Sequence, residues 1–242
     1  MTPAYVVDVG NTRIKVGIVS NGGLAVVTTF DFDSETWHSG DIAGTKWIMA
    51  GVNPKPRDEL ARWAETRGAV VTILDDTRKL PLRLDVDIPE RVGIDRLLGA
   101  VAANRLRRSH AASITVDAGT ATTINLLTTD GVFCGGFILP GLRLMANALY
   151  TGTAQLPEID FDGTTKFPGR NTEDAIRGGI IAATCGAIRR VLMDVKRDDV
   201  EADLFVTGGA SLHLLDDLAE FAPQRVPNLV LEGLLQIAET LP

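Results

Sequence analysis

Two short segments pair a carboxylate with a glycine turn and small polar side chains: Asp8-Val9-Gly10-Asn11-Thr12 and Asp117-Ala118-Gly119-Thr120-Ala121-Thr122-Thr123. Each follows an apolar run, Tyr5-Val6-Val7 or Ser113-Ile114-Thr115-Val116, and each leads into another, Ile14 to Val19 or Ile124 to Leu127. The pattern predicts strand, tight turn, strand. Such a turn can clasp a polyphosphate: its N–H groups and hydroxyls meet phosphate oxygens, and its aspartate holds a cation or that cation's waters. Within the first segment Gly10 permits close backbone approach, Asn11 and Thr12 offer polar side chains, and Arg13 and Lys15 share one strand face on either side of Ile14. In the second, Thr120, Thr122 and Thr123 supply more hydroxyls than a turn needs. Two copies in one chain predict a duplicated half-fold closing on a nucleotide from both sides.

Two further segments carry chemistry. Val206-Thr207-Gly208-Gly209-Ala210-Ser211 is a strand entering a Gly-Gly bend, which leaves room for a flat ligand on the backbone. Gly93-Ile94-Asp95-Arg96 opens a helix, so Asp95 reads either as a charge complementing the helix N-terminus or as a general base beside a cationic clamp. Arg96 is expected to favour the ionised carboxylate and so lower the Asp95 pKa. A weak base suffices when the phosphoryl-transfer transition state is loose and orientation of the hydroxyl does most of the work. No Gly-Lys dipeptide and no G-x-G pair occurs, which excludes the Walker loop and the dinucleotide fingerprint.

Composition narrows the function classes. Hydrophobic residues make up 45% of 242 residues, enough to fill a core and argue against disorder. The net charge of −7 argues against nucleic-acid binding, and the densest basic cluster, Arg105 to Arg108, sits at a helix end where cations complement the dipole. Cys134 and Cys185 have neither disulfide nor metal-site spacing, and His38, His110 and His213 are scattered. No apolar run reaches membrane-spanning length and no basic leader is present, so a cytoplasmic protein without membrane association is expected.

The positioning elements follow from periodicity. Strands are expected near 4–9, 13–20 and 24–31, with Asn21-Gly22-Gly23 as a hairpin turn, and near 46–52 and 69–74. Asn53-Pro54 and Pro56 break the chain before a helix over 57–67, and another helix runs from Gly93 to about Arg108. The second half restarts at Ser113, with helices over 142–150, from Asn171-Thr172 to about Lys196, and over 229–240, and a strand at 204–207. Strands alternating with helices predict α/β architecture. The boundary is expected near 109–114, dividing the chain into 1–112 and 113–242.

Taken in order, these segments resemble the type III pantothenate kinases of the actin-like and sugar-kinase ATPase superfamily. The resemblance rests on D-x-G-N-T at 8–12, G-x-D-R at 93–96 and D-x-G-T-A-x-T at 117–123. It continues through Gly136, Pro140-Gly141, Thr153 to Pro157, Asn171-Thr172 with Gly178, and Thr207-Gly208-Gly209. It implies two ribonuclease-H-like (actin-like ATPase) domains with mixed sheets flanked by helices. It implies transfer of the ATP γ-phosphate to the primary hydroxyl of pantothenate, the first step toward coenzyme A. By the same resemblance Asp8, Val9, Gly10, Asn11, Thr12, Arg13, Ile14, Lys15, Thr120, Gly208 and Gly209 would contact ATP. Asp8 would work with Mg2+, and Asp117 would bind a monovalent cation, K+ or NH4+. Asp95 would accept the proton, and Gly93, Ile94, Asp95, Arg96 and Thr172 would contact pantothenate. The family is dimeric, with its substrate pocket at the subunit interface, so a homodimer is implied. One departure stands out: the family's pocket tyrosine seven positions before the G-x-D-R glycine is Val86 here. A non-catalytic accessory protein on the same fold, or another phosphotransferase of the superfamily, is the rival reading.

Overall fold

The computed structural model describes residues 4–32, 40–162 and 167–238. The chain divides into two compact units, Met1–Leu106 with Asn228–Pro242, and Arg107–Pro227. The break thus falls slightly before the expected 109–114, and the C-terminal segment expected with the second half groups with the first.

The first unit is built on β1 (Tyr5–Val9), β2 (Arg13–Ser20), β3 (Gly23–Asp31), β4 (Lys46–Gly51) and β5 (Val70–Ile73), in spatial order β3-β2-β1-β4-β5. The hairpin strands β1, β2 and β3 pair antiparallel, and β4 and β5 add in parallel beyond β1. Between β4 and β5 runs α1 (Pro54–Glu65). It begins three residues earlier than expected, because Pro54 occupies the first turn, where a missing N–H costs nothing. Leu60, Ala61 and Ala64 of α1 pack with Tyr5, Val7, Val9, Trp47 and Met49 into one core, in which the Tyr5 and Trp47 rings stack. A two-residue strand β6 (Arg83–Leu84) precedes α2 (Ile94–Leu106), and α5 (Leu229–Ala238) packs against α2. Both helices are buried around nearly their whole circumference, as core helices are.

The second unit repeats the plan. β7 (Ala112–Ala118), β8 (Ala121–Leu127) and β9 (Val132–Pro140) form the antiparallel set. β10 (Ala202–Thr207) and β11 (Gln224–Arg225) add in parallel beyond β7, giving β9-β8-β7-β10-β11. α3 (Leu142–Gly152) and α4 (Thr172–Arg197) follow β9. Ile114, Val116, Ile124, Leu204 and Val206 face a core filled by Ile180, Ile181, Cys185 and Ile188 of α4. The sheets of both units are mixed and flanked by helices, and share one strand order although only the acidic glycine turn repeats closely in sequence. Among the described residues no helix is long and apolar enough to cross a membrane.

Candidate functional site

In each unit the aspartate lies at the carboxyl end of the central strand, the end where ligands bind in open α/β sheets. Asp8 sits opposite Lys15 of β2 and Ala50 of β4, so Asp8, Lys15 and Arg13 share one face of the first sheet. Arg13 pairs with Asp31 at 3.6 Å, an exposed contact worth little by itself. The turn is closed by Gly10 N–H donating to the Arg13 carbonyl at 3.0 Å, which leaves Asn11 and Thr12 exposed at its tip.

Asp117 has the corresponding place, opposite Thr123 of β8 and Thr207 of β10. Its turn is closed by Gly119 N–H to the Ala121 carbonyl at 3.1 Å, with Thr120 exposed at the tip. The parallel neighbours continue the symmetry. Gly51, which follows Ala50, is pressed against Val9: a Cβ there would lie 2.5 Å from the Val9 carbonyl oxygen. Gly208, which follows Thr207, has φ +91° and is pressed against Ala118. A Cβ at Gly208 would lie 2.5 Å from both the Ala118 carbonyl oxygen and Asp117 Oδ1, so the bend packs against both oxygens at a distance that only glycine permits. Gly209 has open space above its Cα, which suits a flat ligand on the bend. Gly141 is packed onto the Gly119 and Thr120 carbonyls, fixing the turn from below.

Thr122 departs from the sequence expectation. Alternation along β8 turns it into the core, where its Oγ1 is buried without a hydrogen-bond partner, so it is no phosphate hydroxyl. Thr123 faces the Asp117 side, within 3.5 Å of Asn125 Nδ2, which also donates to Thr115 at 3.2 Å. Below Asp117 the sheet therefore carries a buried polar ladder.

The G-x-D-R motif reaches the Asp8 end of its unit through β4. Val52 N–H donates to the Val9 carbonyl at 3.1 Å, and the Val52 side chain lies 3.7 Å from the Cβ position of Gly93. Asp95, in the first turn of α2, folds its carboxylate back so that Oδ1 accepts from Arg96 N–H at 2.8 Å. A Cβ at Gly93 would lie 2.5 Å from that oxygen, which accounts for the glycine. Burial pushes the Asp95 carboxyl above its ordinary value, outweighing the opposing pull of the Arg96 N–H and guanidinium. This reverses the expected lowering, because desolvation of the half-buried carboxylate exceeds the attraction of one neighbouring cation. Burial likewise pushes the Arg96 guanidinium down, with Asp95 opposing.

Ile94 is buried beneath the motif, and Val86 lies half-buried between β6 and the short helical turn at Pro89–Arg91. Thr172 is exposed at the head of α4, directly after its capping residue Asn171. The first unit thus gathers Asp8 to Lys15 with Gly93 to Arg96, and the second gathers Asp117, Thr120 and Gly208-Gly209. Sequence reasoning missed Gly51, although an Ala-Gly exit from a buried strand mirrors Thr207-Gly208 and could have disclosed it. Among the described residues no group of three or more His, Cys, Asp or Glu side chains is placed to hold a metal ion by itself.

Comparison with known proteins is consistent across the chain. A family model described as type III pantothenate kinase matches residues 5–194. The chain is 40% identical over 257 aligned positions to a type III pantothenate kinase of Herminiimonas arsenicoxydans, covering 98% of both chains. It is 32% identical over 244 positions to another of Thiobacillus denitrificans, covering 96% of this chain and 94% of that one. Among solved structures, a Baf family transcriptional activator from Campylobacter jejuni superposes with a TM-score of 0.66 at 19% identity, covering 98% of both chains. MreB5 of Spiroplasma citri bound to AMPPNP superposes with a TM-score of 0.52 at 12% identity, covering 99% of this chain and 97% of that one. These two likenesses establish the actin-like ATPase fold.

Proposed function

The chain belongs to the type III pantothenate kinase family, an ATP-dependent kinase phosphorylating pantothenate in coenzyme A biosynthesis, and on that premise we propose that Asp95 receives the proton of the attacking hydroxyl. The observation that carries this is the folded-back Asp95 carboxylate. Its Oδ1 is committed to Arg96 N–H, so Oδ2 is the oxygen assigned to the primary hydroxyl of pantothenate. The hydroxyl oxygen forms a bond to the γ-phosphorus, the bond from that phosphorus to the β,γ-bridging oxygen breaks, ADP leaves, and the proton passes to Oδ2. A carboxylate raised by burial is a better match to this task than an ordinary surface aspartate. Arg96 supplies a half-buried positive charge beside the reacting groups, and Gly93, Ile94, Val86 and Thr172 complete the pantothenate contacts.

The donor side belongs to the two turns. Asp8 to Lys15 and Thr120 hold the ATP phosphates, and Gly208-Gly209 carries the adenosine. The Asp8 carboxylate at a phosphate turn suits Mg2+, which is bound through one or two carboxylates together with substrate phosphates and keeps several waters. When bound, it neutralises charge on the phosphate oxygens. Asp117 Oδ1 and the Ala118 carbonyl, two oxygens brought together against Gly208, suit a monovalent cation such as K+ or NH4+, whose charge would complement the ATP phosphates. A homodimer belongs to the same reading. Gly179, Ala182, Ala183 and Gly186 lie exposed along α4, small enough for a second helix to approach closely.

The test is Asp95→Asn. Turnover is expected to fall by about 10²–10⁴-fold, the usual contribution of a positioned acid or base, while ATP binding measured by calorimetry stays within twofold of wild type, on the order of experimental scatter. Turnover that survives the substitution would reduce Asp95 to a charge complementing the helix N-terminus.

A further inference from the structure

Arg177 is an arginine with only 8% of its surface exposed, in the second turn of α4, and neither the donor site nor the proton acceptor uses it. A buried guanidinium is retained only where its donors are satisfied. Its Nη1 meets Asp174 Oδ1 at 2.8 Å, and its Nε donates to the Asp160 carbonyl at 3.2 Å. The other Asp174 oxygen accepts from Asn171 Nδ2 at 2.9 Å, and Asp174 N–H donates back to Asn171 Oδ1 at 2.8 Å. Asn171 is the N-cap, and Thr172 follows it. The stretch of chain before α4 is clamped as well, because Gly169 is packed onto Ala175 so closely that a Cβ would lie 2.5 Å from its backbone nitrogen. Next to Asp160, Phe161 is anchored in the core.

Arg177 therefore joins three things: the loop that contains Asp160, the Asp174 carboxylate, and through Asp174 the cap that holds Thr172. An ordinary N-cap needs only the Asn171 side chain. The added buried arginine fixes the rotamer of Asp174, hence that of Asn171, hence the backbone on which Thr172 stands. We propose that Arg177 is a positioning residue for the acceptor substrate, acting through Asp174 and Asn171 to hold Thr172 and the Asp160 loop in the geometry that receives pantothenate. This rests on the assignment of Thr172 to pantothenate made above. Arg177 itself touches no substrate in this account.

The experiment is steady-state kinetics on full-length R177M, R177K, T172V and the double variant R177M/T172V, with each substrate varied in turn. R177M is expected to raise the KM for pantothenate about tenfold, within the range that small misplacements of a substrate-positioning group produce, and to leave the KM for ATP unchanged. R177K keeps the charge toward Asp174 but not the planar fork that serves Asp174 and Asp160 together, so it recovers only part of the loss. The double variant is expected to be no worse than the poorer single variant, since both act on one contact. Additive losses, or equal rises in both KM values, would overturn the proposal. A KM for pantothenate unchanged in T172V would instead overturn the assignment of Thr172, and with it this route for Arg177. Should R177M not fold, D174N, which breaks the same link at nearly constant size, carries the same expectations and the same refutations.

Discussion

Asp95 stands under two opposed influences, and the larger of them could not be read from its neighbours in sequence. Arg96 adjoins it and pulls toward ionisation, which is the whole of what the G-x-D-R string discloses. Burial pushes the other way and prevails. Because the folded carboxyl is raised, the neutral form is favoured in the fold, and the stability this lends is present at low pH and lost as pH rises through the folded value. The active form of the proposed base is the ionised one, so the sign for catalysis is opposite. The acid limb of the kcat/KM profile is therefore expected at higher pH than an ordinary aspartate would give, and to disappear from the residual rate of D95N; a limb at or below the ordinary aspartate range would contradict the burial argument. The remaining site residues differ in how legible they were. Asp8, Gly10, Asp117 and Gly208 were visible because turns and close approaches demand particular residue types. Thr122 misled, since a hydroxyl in a threonine-rich turn looks functional until strand alternation sends it into the core. Arg177 was invisible, because nothing local distinguishes a buried arginine on an amphipathic helix from an exposed one.

At the scale of elements, hydrophobic periodicity and turn chemistry disclose the strands of five or more residues except β9 (Val132–Pro140), whose period is interrupted by Gly135 and Gly136, both at positive φ, and the other errors also have physical causes. The α1 start was placed late because Pro54 was read as a breaker rather than as a first-turn residue. Strands β6 and β11 have two residues each, too few for any period to register. The pairing of α2 with α5 is the non-local feature that matters most. Helices far apart in the sequence approach so closely at Gly233 that a Cβ there would lie 2.0 Å from the Leu98 carbonyl oxygen. Since Asp95 lies in the first turn of α2, this contact holds the helix that carries the proposed base. Gly233→Ala gains about 1 kcal/mol of helix propensity, but it forces the two backbones apart, at an overpacking cost of about 1–3 kcal/mol and occasionally more. A net loss of stability in chemical denaturation is expected; an alanine variant as stable as wild type would show that the helices can separate without penalty.

At the scale of the whole molecule, one strand order appears twice, 3-2-1-4-5 in each unit when strands are counted from the unit's own start. The two acidic glycine turns are therefore equivalent positions of a duplicated fold rather than two coincidental hairpins. The duplication was legible because each copy keeps the same aspartate, glycine and strand sequence of events. The division of the chain was less so. The segment Asn228–Pro242 belongs by contact to the first unit, and no composition shift announces a chain that crosses back. The function proposed above has the two turns diverging in labour, with Asp8 assigned to the magnesium-bound phosphates and Asp117 to the monovalent cation. The measurement that bears most directly on this account is ADP release by the purified protein with ATP and magnesium, with pantothenate and potassium each added or withheld. One ADP per pantothenate phosphorylated is expected, with the rate rising when potassium replaces a bulky organic cation. No pantothenate-dependent ADP above background at saturating substrates would contradict it.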